Sequence, residues 1–158
     1  MQNKGVMAFG ALAGGAIMYG IITFFAPAAA VDPSVQLRPD DLKLVALGKK
    51  VYDANCASCH GVKFEGEVNW RERGPDGLLP APPHDETGHT WHHPDAVLFA
   101  LTKFGPGAMA GDDYQSAMPG FADVLRDEEI LASLSYIKSR WPNDIRLRHD
   151  QINQSATQ

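Results

Sequence analysis

Two cysteines and a histidine stand together at Cys56-Ala57-Ser58-Cys59-His60, and the chain of 158 residues holds no other cysteine. C-x-x-C-H is the pattern of covalent c-type haem attachment. Two thiols at this spacing form thioethers to the two vinyl groups of one porphyrin, and the adjacent imidazole reaches the iron from the same side. Attachment at three points keeps the cofactor bound outside the cell. Two other chemistries use the same residue types. A thiol redox pair expects a thioredoxin-like βαβ pattern, which this sequence does not display. A zinc site drawn from Cys56, Cys59, His89 and His93 satisfies C-x2-C…H-x3-H, but 29 residues separate Cys59 from His89, against about 12–15 in the finger pattern. Haem is the preferred reading, with zinc and thiol chemistry behind it.

A haem iron has two axial positions, and His60 takes the first. Methionine or histidine on the far side closes the site for electron transfer, whereas an open position binds ligands. The candidates are Met109, Met118, His84, His89, His92 and His93. Met118 is chosen. It lies in the turn-rich segment Ser116-Ala117-Met118-Pro119-Gly120-Phe121, where no helical backbone blocks its thioether and Pro119 lowers the entropy cost of holding it. Met109 is the rival, and a methionine that only fills core space is the plainer alternative. Ligation by soft sulfur favours Fe(II) and a positive potential. The run Gly88-His89-Thr90-Trp91-His92-His93-Pro94 reads as a polar loop whose histidines cap backbone or face water. Trp91 is assigned to the haem edge, its indole N–H on a propionate. Pro80 or Pro82 is expected to offer the carbonyl that accepts from His60 Nδ1–H.

These groups need elements to hold them. Asp40-Asp41 opens a helix that runs through Leu42, Leu44, Val45, Leu47, Val51 and Tyr52 and delivers the chain to Cys56. Residues 61–95, rich in proline and glycine, read as a long loop that gains stability by wrapping a large apolar cofactor. A second helix spans about Pro94–Thr102 and ends at Gly105 and Gly107. The clearest helix is Asp127–Arg140, acidic at its start and basic at its end, with apolar Ile130, Leu131, Leu134 and Ile137. Trp141-Pro142 stops it, and the polar tail from Asn143 reads as extended or frayed. Gly48 and Tyr52 mark the contact of the first helix with Tyr136 on the last.

The N-terminus differs from the rest. Between Lys4 and Asp32 there is no charged residue, and all nineteen acidic residues lie from Asp32 onward with thirteen of the fourteen basic ones. The apolar stretch 5–30 exceeds the roughly 20 residues that span a bilayer, and Lys4 before it obeys the positive-inside rule. An uncleaved anchor is favoured over a removed signal peptide, for which Ala26-Pro27-Ala28 or Ala28-Ala29-Ala30 offers an exit. Either way the remaining chain is exported. Gly10-Ala11-Leu12-Ala13-Gly14 is a weak hint of helix pairing in the membrane. The acidic balance argues against nucleic acid as a partner and suits docking on a basic protein surface.

The chain resembles the class I monohaem c-type cytochromes, of the membrane-attached bacterial type. The likeness rests on Gly48 to Gly61 around the attachment motif, on Met118-Pro119-Gly120-Phe121, and on the terminal helix with Tyr136. It covers about residues 40–142 and implies an all-α, cytochrome c-like domain of three or more helices around one covalently bound haem. The implied organisation is an anchor or signal at 1–31, a linker at 32–39, the haem domain at 40–142 and a polar tail at 143–158. The implied site is Cys56, Cys59 and His60 with Met118 as second iron ligand. The implied function is one-electron transfer, not catalysis, between respiratory or photosynthetic membrane complexes. A quinol-oxidising complex and a terminal oxidase are the expected partners, with the haem domain in the periplasm. A haem subunit bound permanently to a larger dehydrogenase or oxidase is the alternative, and a gas- or metal-binding module the third. The loop His84–His93 and the acidic surface have no counterpart in this pattern.

Overall fold

The computed structural model describes residues 31–111 and 113–156. Among them every element is helical: α1 Leu42–Asn55, α2 Ala57–His60, a 3₁₀ turn Thr90–His92, α3 Asp95–Phe104, α4 Pro106–Ala110, α5 Asp127–Arg140 and α6 Asn143–Ala156. The stretch 5–30, read as anchor or signal, lies outside the described residues. Among those described, no helix is long and apolar enough to cross a membrane.

Helix α1 begins where the aspartates predict it. Asp41 is the N-cap, and its carboxylate accepts from the Leu44 N–H at 3.1 Å. Leu44, Gly48, Val51 and Tyr52 are buried and form one face at helical spacing. That face packs on α5, whose buried positions include Ile130, Leu134 and Ile137. At the crossing Gly48 lies against the Ala132 carbonyl and Tyr136 Cβ, where no side chain fits. Tyr52 meets Tyr136 edge to face, centroids 5.8 Å apart. The expected contact of the first and last predicted helices is therefore present, at the residues named for it.

Helix α5 spans the predicted Asp127–Arg140, with Glu129 accepting from the Arg126 N–H at 2.9 Å. Helix α3 runs to Phe104 and stops at Gly105. Gly107, expected to terminate it, instead belongs to the short α4, which also carries Met109.

The C-terminal tail departs from expectation. Residues 143–156 are not extended or frayed but form the fourteen-residue helix α6, starting directly after Pro142. Ile145 and His149 are its buried residues, too few for an apolar stripe. Polar bonds hold it instead. His149 Nε2 donates to the His93 carbonyl at 3.0 Å, Lys138 pairs with Asp150 at 2.7 Å, and Asn153 accepts the Asp95 N–H at 2.7 Å. The linker joins the same assembly. Leu37 is buried, its N–H donates to Asp95 at 2.8 Å, the Arg38 N–H donates to Ser135 at 2.9 Å, and Arg146 pairs with Asp40.

Candidate functional site

The attachment motif occupies one helical turn. Helix α1 ends at Asn55, and the Cys59 and His60 N–H groups both turn back to the Cys56 carbonyl, at 3.2 and 2.9 Å. Tyr52, wholly buried, donates its hydroxyl to the Gly61 carbonyl at 2.8 Å and so ties α1 to the residue after the motif. The two cysteines are not joined in a disulfide; Cys56 is half-buried and Cys59 exposed. Burial, with the second thiol beside it, pushes Cys56 up to about 11. That is the reverse of the lowered pKa by which thiol redox motifs react.

His60 is buried and its Nδ1 lies 2.8 Å from the Pro82 carbonyl. A carbonyl only accepts, so Nδ1 carries the proton and Nε2 keeps the lone pair that a metal needs. Pro82 was one of the two prolines expected to supply this carbonyl. The loop holds it firmly: Glu67 and Ala81 exchange bonds at 2.6 and 2.8 Å, and the Gly66 N–H donates to the His60 carbonyl at 2.9 Å. Burial keeps the His60 imidazole below its ordinary pKa, opposed by the Pro82 bond and the Glu67 charge. Two thiols and an imidazole with its lone pair free fit the attachment of one haem.

The other candidates separate. Met118 is half-buried in the loop between α4 and α5, its N–H donating to Ser116 Oγ at 3.1 Å. Just beyond it, Phe121 and Ala122 donate to the Thr102 and Lys103 carbonyls at 3.1 and 3.0 Å, which fastens the segment to the end of α3. No bond links Met118 to His60. His89 is exposed and stacks on Trp70, centroids 5.4 Å apart, and His92 is exposed and stacks on Trp91 at 3.7 Å. These two fit the expected water-facing loop. Among the described residues no group of three or more His, Cys, Asp or Glu side chains is placed to hold a metal ion, which removes the zinc alternative.

Trp91 differs from its assignment, since its indole donates to the Glu86 carbonyl at 3.3 Å. The inner tryptophan is Trp141, 4% exposed, which donates to the His84 carbonyl at 2.7 Å. His84 was named as a candidate second iron ligand, yet its ring stacks on His60 with centroids 3.9 Å apart. No short-range pattern in the sequence signals this contact, which joins residues 24 positions apart. His149, fully buried, went unnoticed because nothing marked the tail as ordered.

Residues 45–141 match the family model of cytochrome c. The chain belongs to the cytochrome c family. No curated protein and no solved structure matches it. The cofactor of this cytochrome c is covalently bound c-type haem with its iron, and Cys56 and Cys59 fit the attachment motif within the matched region. The family points to haem-based electron transfer rather than enzymatic catalysis.

Proposed function

We propose that this cytochrome c is a one-electron carrier in which Cys56 and Cys59 hold the haem and His60 and Met118 are the axial ligands, the haem domain being anchored through residues 5–30 on the periplasmic face of a bacterial membrane. Bound haem iron supplies a one-electron ferric/ferrous couple. The observation that carries the reading is the His60–Pro82 bond at 2.8 Å, beside the two motif cysteines on the same turn. It presets tautomer and ring orientation for an axial ligand. Met118 is supported by its half-buried place in a segment anchored at Phe121 and Ala122. The acidic balance of the exported part favours partners with basic docking surfaces, such as a quinol-oxidising complex and a terminal oxidase.

One observation favours the second reading, a haem subunit fixed within a larger dehydrogenase or oxidase. The chain is already fastened to the domain at Leu37, Arg38 and Asp40. Residues 31–36 therefore leave a reach of only about 20 Å, which a wide-ranging tethered shuttle would exceed.

The deciding experiment is an optical spectrum of the matured protein, oxidised and reduced, with and without carbon monoxide, beside Met118→Ala. A far-red methionine–iron band that is lost in the variant, with carbon monoxide excluded from the parent, is the expected result. Ready carbon monoxide binding by the parent would open the distal position and move ligand sensing ahead of electron transfer. Co-purification with other subunits would select the fixed arrangement.

A further inference from the structure

His60 has a second neighbour besides Pro82. The His84 ring lies over its face with centroids 3.9 Å apart and planes inclined by 23°. This contact is built from several directions. The His84 N–H donates to the Phe64 carbonyl at 2.8 Å, its carbonyl accepts from Trp141 at 2.7 Å, and its Nδ1 lies 2.8 Å from Thr90 Oγ1. Thr90 is itself buried, with Oγ1 3.5 Å from the Pro83 carbonyl. Phe64, which presents the first of these acceptors, sits at φ 66°, a left-handed conformation uncommon for an aromatic residue. A side chain bonded at its backbone on both sides and at its ring has little freedom of its own. It can therefore act as a fixed wall.

We infer that His84 is a positioning residue for the axial imidazole: its stacked ring, together with the Pro82 carbonyl, sets the rotation of His60 about the iron–nitrogen direction. One hydrogen bond at Nδ1 leaves the ring free to rock about that bond. A flat neighbour at stacking distance stops the rocking, much as outer partners fix ligand rings in metal sites generally. Imidazole rotation governs overlap with the iron d orbitals, and so the spin distribution over the porphyrin. The inference rests on His60 being the axial ligand.

The test compares the parent with His84→Leu and His84→Phe, all matured with haem. The readouts are the proton hyperfine shifts of the haem methyl groups in the oxidised state and the reduction potential. His84→Leu removes the flat wall and should change the order and spread of the methyl shifts and move the potential. His84→Phe restores a flat ring and should return the shifts toward the parent pattern. A parent-like pattern in His84→Leu overturns the inference, as does a Phe variant that behaves like Leu. Should the variants not take haem, the reduced parent decides: a nuclear Overhauser contact between the His60 and His84 rings is expected, and its absence overturns the stack. A parent spectrum without low-spin histidine ligation would instead sink the ligand assignment.

Discussion

The two sides proposed to face the iron are built differently. Around His60 the chain is tied several times over: Pro82 on Nδ1, His84 on the ring face, Glu67 and Ala81 bonded to each other in both directions, and Trp141 on the His84 carbonyl. Around Met118 there is one turn bond to Ser116 and two backbone bonds from Phe121 and Ala122 to the end of α3. Ala117, Pro119 and Gly120 are exposed. Local opening free energy follows the density of such contacts. The methionine side is thus the one to open first under heat, denaturant or a competing ligand, while the histidine side keeps its geometry.

The largest expected effect comes from breaking the lightly held side. A methyl group at Gly120 would stand 2.7 Å from the Phe104 carbonyl carbon and oxygen, so Gly120→Ala must push the loop off α3. Overpacking of this kind costs about 1–3 kcal/mol. The loss should fall on the methionine bond before the fold. Denaturant titration should show the far-red band fading well ahead of the helical circular dichroism, with the gap wider than in the parent. If both signals move together, the two sides are not separable and the contrast fails.

On the histidine side the equivalent cut should do less. Glu67→Ala removes the carboxylate that accepts the Ala81 N–H, at an exposed position, and a bond of this kind contributes about 0.5–1.5 kcal/mol. The Pro82 carbonyl is still backed by the remaining Glu67–Ala81 backbone bond. The expected outcome is a small drop in melting temperature with the oxidised spectrum unchanged. A spectral change as large as that of Gly120→Ala would mean that the histidine side hangs on this single carboxylate.

The same contrast explains what could be read from the residues alone. Helices α1 and α5 were legible because apolar positions recur at helical spacing between acidic starts and clear stops, as in Asp127 to Arg140. Cys56, Cys59 and His60 stood out because the attachment chemistry is local in sequence, and Pro82 was one of the two prolines named for the carbonyl on His60. The role of His84 depends on a fold that brings the ring onto His60 across 24 residues, and no short-range pattern encodes that. Helix α6 was missed for a different reason. Its attachments are polar bonds of His149 to the His93 carbonyl, Asp150 to Lys138 and Asn153 to the Asp95 N–H, and a sequence displays such residues as ordinary solvent-facing polarity. The docking of the linker was missed likewise, since Leu37, two backbone N–H groups and the neighbouring Asp40–Arg146 pair secure it.

Helix α6 also backs the histidine side, and this yields the smallest effect, one that is silent at neutral pH. His149 touches Trp141 edge to face at 5.0 Å and donates to the His93 carbonyl, so it supports both the indole that holds His84 and the end of the loop that carries it. Burial first, and the Lys138 ammonium next, hold His149 below its ordinary value of 6.5, with Asp95 and Asp150 opposing. The folded pKa is the lower one, so on acidification the unfolded chain takes the proton first. The stability that neutral His149 contributes is complete above about 6.5 and is lost as pH falls through the folded pKa. His84, His89 and His93 are shifted in the same direction, so the parent slope alone does not isolate one ring. The difference between parent and His149→Gln does, because glutamine keeps a donor for the His93 carbonyl without titrating. Melting temperature should fall less steeply with acid in the variant, while the far-red band of the oxidised protein persists over the same range in both. Identical slopes would remove His149 from the support of the histidine side. A methionine band lost in step with the parent's acid slope would show that the two sides open as one.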